Sequence, residues 1–224
     1  MTTKDVTLLM VDAGENVPQS AKTINHCAGL LNWGAVRLFC YEKPPVPING
    51  ETFIISRCKD LGERSNFMGQ LGPCFFETEF MLYIHNDGYP INPHLWQDSW
   101  LEWDYVAPPW SIAFMKHVAG AWPELHRTIV GSGACVLRSK KMAKATAKLA
   151  VERGGIHAGL DFFECILKRA ELERMGVRFA PPDVGLKFCY QLPLEEYPGW
   201  TDDKSFSFHC MSRELGAPQG RKML

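Results

Sequence analysis

The chain lacks charge bias, long hydrophobic runs and closely spaced cysteines, and each absence removes a class of protein. Its 24 lysines and arginines against 25 aspartates and glutamates leave a formal net charge of −1, so no overall field draws it to nucleic acid, although a local basic patch stays open. The longest apolar runs, such as VTLLMV and FMLYI, are far too short to span a bilayer. The opening MTTKDVTLLM has no basic start, no apolar core of signal length and no small-residue cleavage site. A cytoplasmic protein is expected. The eight cysteines (Cys27, Cys40, Cys58, Cys74, Cys135, Cys165, Cys189, Cys210) never come closer than 13 positions, which signals neither CxxC redox chemistry nor a cysteine zinc site. Most are expected to be reduced, buried and inert.

Motif absences narrow the chemistry further. There is no GxxxxGK[ST] loop and no GxSxG elbow, which disfavours a P-loop phosphate site and an α/β-hydrolase mechanism. GSGACV offers two glycines of a dinucleotide fingerprint, but it lacks the third and feeds a strand-like run instead of opening a helix. The seven histidines form no HExxH or other short-range pair. A metal site would therefore be assembled from residues distant in sequence and would favour oxygen-rich chemistry such as Mg²⁺ or Mn²⁺.

What is present is a core-forming chain of 224 residues, 46% hydrophobic and 22% charged, most economically one domain over 1–224. VTLLMVD, VRLFCYE and FMLYIHND read as strong strands, with TFIIS as a shorter one. SAKTINHCAGLLNWG reads as a helix capped by Ser20 and stopped at Gly34, and ERSNFMGQLGPCFF as a weak, glycine-interrupted helix. Apolar strands alternating with helices predict an α/β layer with a mostly parallel sheet. Asn92 and Pro93 predict a helix start, after which Trp96, Trp100 and Trp103 at i, i+4, i+7 would make one aromatic face, read chiefly as a stripe packed on the sheet. In the second half, KKMAKATAKLAVERGG and GLDFFECILKRAELERMG read as amphipathic helices, and SFSFH as a short strand in a loop-rich tail. Arg138, Lys140, Lys141, Lys144, Lys148 and Arg153 form a basic face that is either solvated or suited to phosphates.

The three strongest strands each end in an acid, Asp12, Glu42 and Asp87. Ligands of open parallel sheets bind at the carboxyl ends of the strands, so these acids either line one rim of a crevice or are ordinary solvated loop residues. Asp87 stands out because Gly88 follows it, allowing close backbone approach or a positive φ.

Four ordered segments carry a family resemblance. LYIHNDGYPINPHLWQDSWLEWDYVAPPW is similar to the signature of a glycosyltransferase-like group, itself a domain of unknown function, in which an apolar strand ends in Q-x-D-G/S and a Y-D-Y-I-G-A-P-W segment follows. VGSGACVLRS resembles its V-G-N-G-G-F-S-L-R-S, GVRFAPPDVGLKF its G-I-x-F-A-P-x-x-x-A-x-x-F, and FSFH its terminal F-G-F-H. The resemblance covers roughly residues 80–210. It implies a GT-A-like nucleotide-sugar-binding fold, with about residues 1–90 as the donor half and about 91–224 as the acceptor half. It implies a divalent cation, Mn²⁺ or Mg²⁺, held by Asp87 and His209, a nucleotide-diphosphate sugar as donor, and Asn86 and Gly88 beside its diphosphate. Asp12 and Glu42 would hold the nucleoside, and Asp161 would be the catalytic base, with an N-capping role as its alternative. Leu160 stands where the group carries a second acid. The expected activity is transfer of the sugar, with inversion, to a hydroxyl on a glycan or on a hydroxylated DNA base. The alternatives are a non-catalytic carbohydrate- or nucleotide-binding module and a metal-dependent hydrolase.

Overall fold

The structure, a computed structural model of the chain, describes residues 2–14, 16–118, 120 and 123–209. The first half alternates strand and helix: β1 (Val6–Asp12), α1 (Val17–Ala28), β2 (Ala35–Cys40), β3 (Glu51–Ile54), α2 (Leu61–Leu71) and β4 (Phe80–Ile84). Short strands β5 (Gly88–Pro90), β6 (Tyr105–Val106) and β7 (Pro109–Trp110) follow, then α3 (Ile112–Val118), β8 (Ile129–Val130), β9 (Val136–Ser139) and α4 (Lys140–Glu152). The remainder holds α5 (Leu160–Phe162), α6 (Arg169–Arg174), α7 (Pro182–Phe188), β10 (Cys189–Tyr190) and β11 (Ser207–His209).

Six strands make the central sheet in the order β3-β2-β1-β4-β9-β6. All pairings among β1 to β4 are parallel, whereas β9 runs antiparallel to both β4 and β6. The fold is thus mixed α/β around a mostly parallel sheet. Every residue of β1 is buried, as expected of a strand with helices over both faces, and its side chains divide by the two-residue strand period. Val6, Leu8 and Met10 join Val17, Ile24 and Cys27 of α1 on one face. Leu9 and Val11 face the other way, into a core with Met68 of α2 and Met142, Ala145 and Leu149 of α4. A small sheet in the order β10-β11-β5 and a β7–β8 pair complete the fold. Among the described residues no helix is long and apolar enough to cross a membrane.

Several local expectations are corrected. Helix α1 is capped by Asn16, whose side chain accepts from the Gln19 amide, and ends at Gly29; Ser20 lies inside it and bonds elsewhere. The tryptophan segment is two short 3-10 turns, Pro93–Leu95 and Asp98–Glu102, with Trp96 between them. Its rings still converge: Trp96 meets Trp100 edge-on at 5.4 Å, and Trp100 meets Phe188 at 5.1 Å. The long helix expected after Gly159 is broken into α5, a π-helical turn over Phe163–Leu167, and α6. Arg138 leaves the basic face altogether, being 3% exposed and paired at 2.7 Å with buried Glu164. Lys140 bonds the Pro73 and Phe76 carbonyls and Lys141 binds Asp104 at 2.8 Å, so half of the expected patch serves the fold. Of the described cysteines, Cys74 is exposed, Cys58 half-buried and the other five buried; Cys210 lies outside the described residues.

Candidate functional site

From β1 the chain builds outward to β2 and β3, then returns to β4 on the other side of β1. The switch in the direction of growth falls between β1 and β4, and the carboxyl ends of the strands at such a switch are the position where parallel sheets of this kind take ligands. A cavity of about 230 Å³ lies between the β1–α1 loop and the start of α2, lined by Ala13, Gly14, Cys58, Lys59, Asp60 and Arg64. Leu61 and Arg64, from the first turns of α2, also border a smaller cavity of about 50 Å³ shared with Tyr83, His85, Arg138 and Asp161.

Asp12 is at this rim but is turned inward. It is 1% exposed, and its carboxylate accepts from the Gly14 amide at 3.2 Å, the Asn16 amide at 3.0 Å and Ser20 Oγ at 2.6 Å. Its role is to fold the β1–α1 loop. Ser20 Oγ in turn accepts from Asn86 Nδ2 at 3.0 Å, so one hydrogen-bonded chain, Asp12 to Ser20 to Asn86, ties the two loops together. Asn86 Oδ1 is buried without a partner. Glu42 lies two positions beyond the end of β2 and is exposed, outside the residues that line either cavity.

Residues 85–88 form a tight reversal. The His85 amide donates to the Gly88 carbonyl at 2.9 Å and the Gly88 amide returns a bond to His85 O at 3.3 Å, which swings Asn86 and Asp87 out at its tip. Gly88 does not take a positive φ. Its value is close approach, but to the protein itself: a Cβ there would lie 3.0 Å from His209 Cδ2 and 3.1 Å from Ala134 Cβ. Strand β5 pairs with β11 so that Gly88 stands opposite His209, and this brings His209 Nε2 to 3.9 Å from Asp87 Oδ2.

On its other side Asp87 meets His85, Nδ1 to Oδ1 at 3.9 Å. Each imidazole is held by its far nitrogen. His85 Nε2 and Tyr83 OH are 2.6 Å apart, and His209 Nδ1 and Ser132 Oγ 3.0 Å apart. Burial, with Arg64 and His209 nearby, pushes His85 down to about 3. Burial also lowers His209, an effect that Asp87 and Asp161 oppose without reversing. In both rings burial disfavours the charged imidazolium. Ser132 belongs to the GSGAC loop, where Cys135 adopts φ 49° and Tyr105 OH donates to Ser132 O at 3.1 Å. That loop is therefore the support of His209. Neither Ser132 nor His85 was legible as a site residue, because each is defined by a partner brought close only by the fold.

Asp161 opens α5, where its Oδ1 accepts from the Phe162 amide at 3.0 Å. It borders the smaller cavity beside His85 and acts on His209 through its charge. Three residues on, Glu164 is 1% exposed in the π-helical turn, bonded to Thr146 Oγ1 at 2.8 Å and to Arg138. Asp87, His209, Asn86, Gly88 and Asp161 are thus gathered at one end of the sheet, with Asp12 beneath them and Glu42 apart. Among the described residues no three His, Cys, Asp or Glu side chains stand at ready metal-ligand spacing. No family model matches the sequence, and no curated protein matches it.

Proposed function

We propose that this chain is a GT-A-like glycosyltransferase that moves a sugar from a nucleotide-diphosphate donor to a hydroxyl acceptor. The observation that carries the reading is the convergence, at the carboxyl end of the parallel strands, of Asp87 with His209 3.9 Å away and of Asp161, which borders the smaller cavity beside His85. The larger cavity, between the β1 loop and the start of α2, is the place for the nucleoside and diphosphate, with Arg64 and Lys59 supplying positive charge. The smaller one is the place for the transferred sugar.

Asp87, half-exposed at the turn tip with the His209 imidazole 3.9 Å away, is the group that would hold a divalent cation. Mn²⁺ or Mg²⁺ bound there supplies positive charge against the departing diphosphate without a proton. The chain's own residues do the rest. Asp161 accepts the proton of the acceptor hydroxyl as that oxygen bonds to the anomeric carbon and the bond to the diphosphate breaks, an attack from the opposite face that inverts the centre. The Asp12–Ser20–Asn86 chain and the Ser132–His209 bond hold both sides of the site rigid. The acceptor is a glycan or a hydroxylated DNA base; retention on duplex DNA that falls steeply with salt marks the second.

The test is a thermal-shift panel of UDP-, GDP-, ADP- and dTDP-sugars with and without Mn²⁺, on the wild type and Asp87→Asn. A ligand that binds only the folded state raises its melting temperature by mass action. Stabilisation by one nucleotide class, strengthened by Mn²⁺ and lost in the variant, is expected. No shift with any donor overturns the reading. Binding without turnover moves it to a non-catalytic module, and sugar release to water without acceptor saturation to a hydrolase.

A further inference from the structure

We propose that the groove beside α4 is a phosphate track for a nucleic-acid backbone, the surface on which a DNA acceptor lies while one base, turned out of the stack, reaches Asp161. The inference rests on the proposed glycosyl transfer for the purpose of the docked DNA; whether the groove binds DNA is read without any donor.

Lysines crowd this groove. Its volume is about 570 Å³, and it shares no residue with the two cavities near Asp161 and Arg64. Lys140, Lys141, Lys144 and Lys148 of α4 line it against one acid, Glu79. Lys140 turns its Nζ in to the Pro73 and Phe76 carbonyls, and burial together with the charge of Lys144 presses its pKa down, a repulsion that a bound anion relieves. The other three lysines are exposed. Lys141 reaches Asp104 with its side chain still 48% exposed, Lys148 stands 3.9 Å from exposed Glu152, and Lys144 has no ion-pair partner among the described residues. An exposed pair such as Lys148–Glu152 contributes about 1 kcal/mol at most, so it opens readily for a phosphate. Lysine binds phosphate as a compact point charge, whereas planar recognition of carboxylates favours arginine; an all-lysine rim therefore suits a phosphate backbone better than an acidic peptide. From Lys141 to Lys148 the helix rises about 10 Å, a length over which one strand of a duplex presents about three phosphates. The direction fits as well. Helix α4 begins at the amino end of β4, where the Lys140 amide donates to Glu79 O at 2.7 Å. It runs back toward the end of α2 that borders both cavities, where Asn66 clasps Ile156 through bonds of 2.6 and 2.9 Å, and Asp161 follows five residues later. A strand laid along the lysines is thus led toward the smaller cavity.

The experiment is fluorescence anisotropy of a short labelled duplex DNA of ordinary bases, titrated with the full chain over a range of salt concentrations. Wild type is expected to bind with an affinity that falls with salt at a log–log slope of about −3. The Lys144→Gln, Lys148→Gln double variant should bind at least tenfold more weakly, with the slope reduced by about two. Lys22→Gln, at an exposed position of α1 across the sheet, should change neither. Circular dichroism melts confirm that the variants fold. No binding at low salt overturns the proposal, as does a folded double variant that binds like wild type. Retention on anionic phospholipid vesicles without DNA binding overturns it in favour of a membrane-facing helix. The donor panel judges the functional reading separately. DNA binding without stabilisation by any nucleotide sugar leaves the groove and removes the glycosyltransferase; stabilisation by a nucleotide sugar without DNA binding removes the groove and leaves a glycan as the acceptor.

Discussion

Asp12 and Asp87 are carboxylates that follow or end neighbouring parallel strands, and burial alone separates their tasks. Asp12, 1% exposed, has three donors from its own loop; Asp87 stands at a turn tip with a 43% exposed side chain. Hydrogen bonds to a charged acceptor contribute more than neutral ones. Asp12→Asn is therefore expected to cost about 2 kcal/mol in urea unfolding, and Glu42→Gln, in an exposed loop, to leave the midpoint unchanged. Asp87→Asn should also leave stability nearly unchanged while removing donor binding, which would separate a site residue from a scaffold residue in one pair of measurements. Gly88 offers a third contrast. Alanine there must push on His209 and Ala134, both already within 3.1 Å of the added carbon, and overpacking of this kind costs about 1–3 kcal/mol. Gly88→Ala should lower the melting temperature and, by moving His209, weaken Mn²⁺ binding as well.

At the scale of elements, two buried carboxylates fasten the second half of the chain to the sheet. Asp104, just before β6, accepts from Ser139 Oγ at 2.7 Å, Lys141 Nζ at 2.8 Å and the Arg178 amide at 2.8 Å. Burial acts to raise its pKa, but the Lys141, Ser139 and Arg178 hydrogen bonds prevail and hold it below the usual carboxylate value. A depressed carboxylate contributes stability above its unfolded pKa and loses it as pH falls through the folded one. The melting temperature should accordingly drop below about pH 4, and Asp104→Asn should be less stable at pH 7 with a shallower acid limb. The Arg138–Glu164 pair follows another rule. Removing one partner of a buried ion pair leaves a charge stranded, typically at about 3–5 kcal/mol, whereas an apolar replacement of both is often tolerated. Glu164→Gln should therefore destabilise more than the Arg138→Met, Glu164→Leu double variant, by urea melts. Elements of this kind mark the limit of what could be read beforehand. The strand cores of β1 and β4 were plain from their apolar runs, and α4 from its spacing. The tryptophan stretch kept helical spacing yet folded as 3-10 turns, because its rings are held by Phe188 and Phe206 from distant segments. The π-helical turn likewise answers to Arg138 and Thr146, which no local pattern announces.

For the whole molecule, the parallel layer was legible because each buried strand carries its own signal, whereas the order of strands is set by long-range pairing. That order leaves the two sheet edges unlike. At β6 the edge is covered: Asp104 N donates to Arg178 O at 2.8 Å and Ala180 N to Tyr105 O at 2.9 Å. At β3 all four residues are exposed, Ile54 reaches 61% and Phe53 36% exposure, and the strand has no lysine or proline to deter pairing. Its one acid, Glu51, is bound by Arg37 at 2.7 Å. Open edges with apolar side chains template association when chains meet. A charge there costs little in a monomer, because Ile54 already faces water. Ile54→Lys is therefore expected to keep the melting temperature within about 2 °C of wild type while delaying the onset of light scattering on heating. Scattering that begins at the same temperature in both proteins would place the aggregating surface elsewhere than β3.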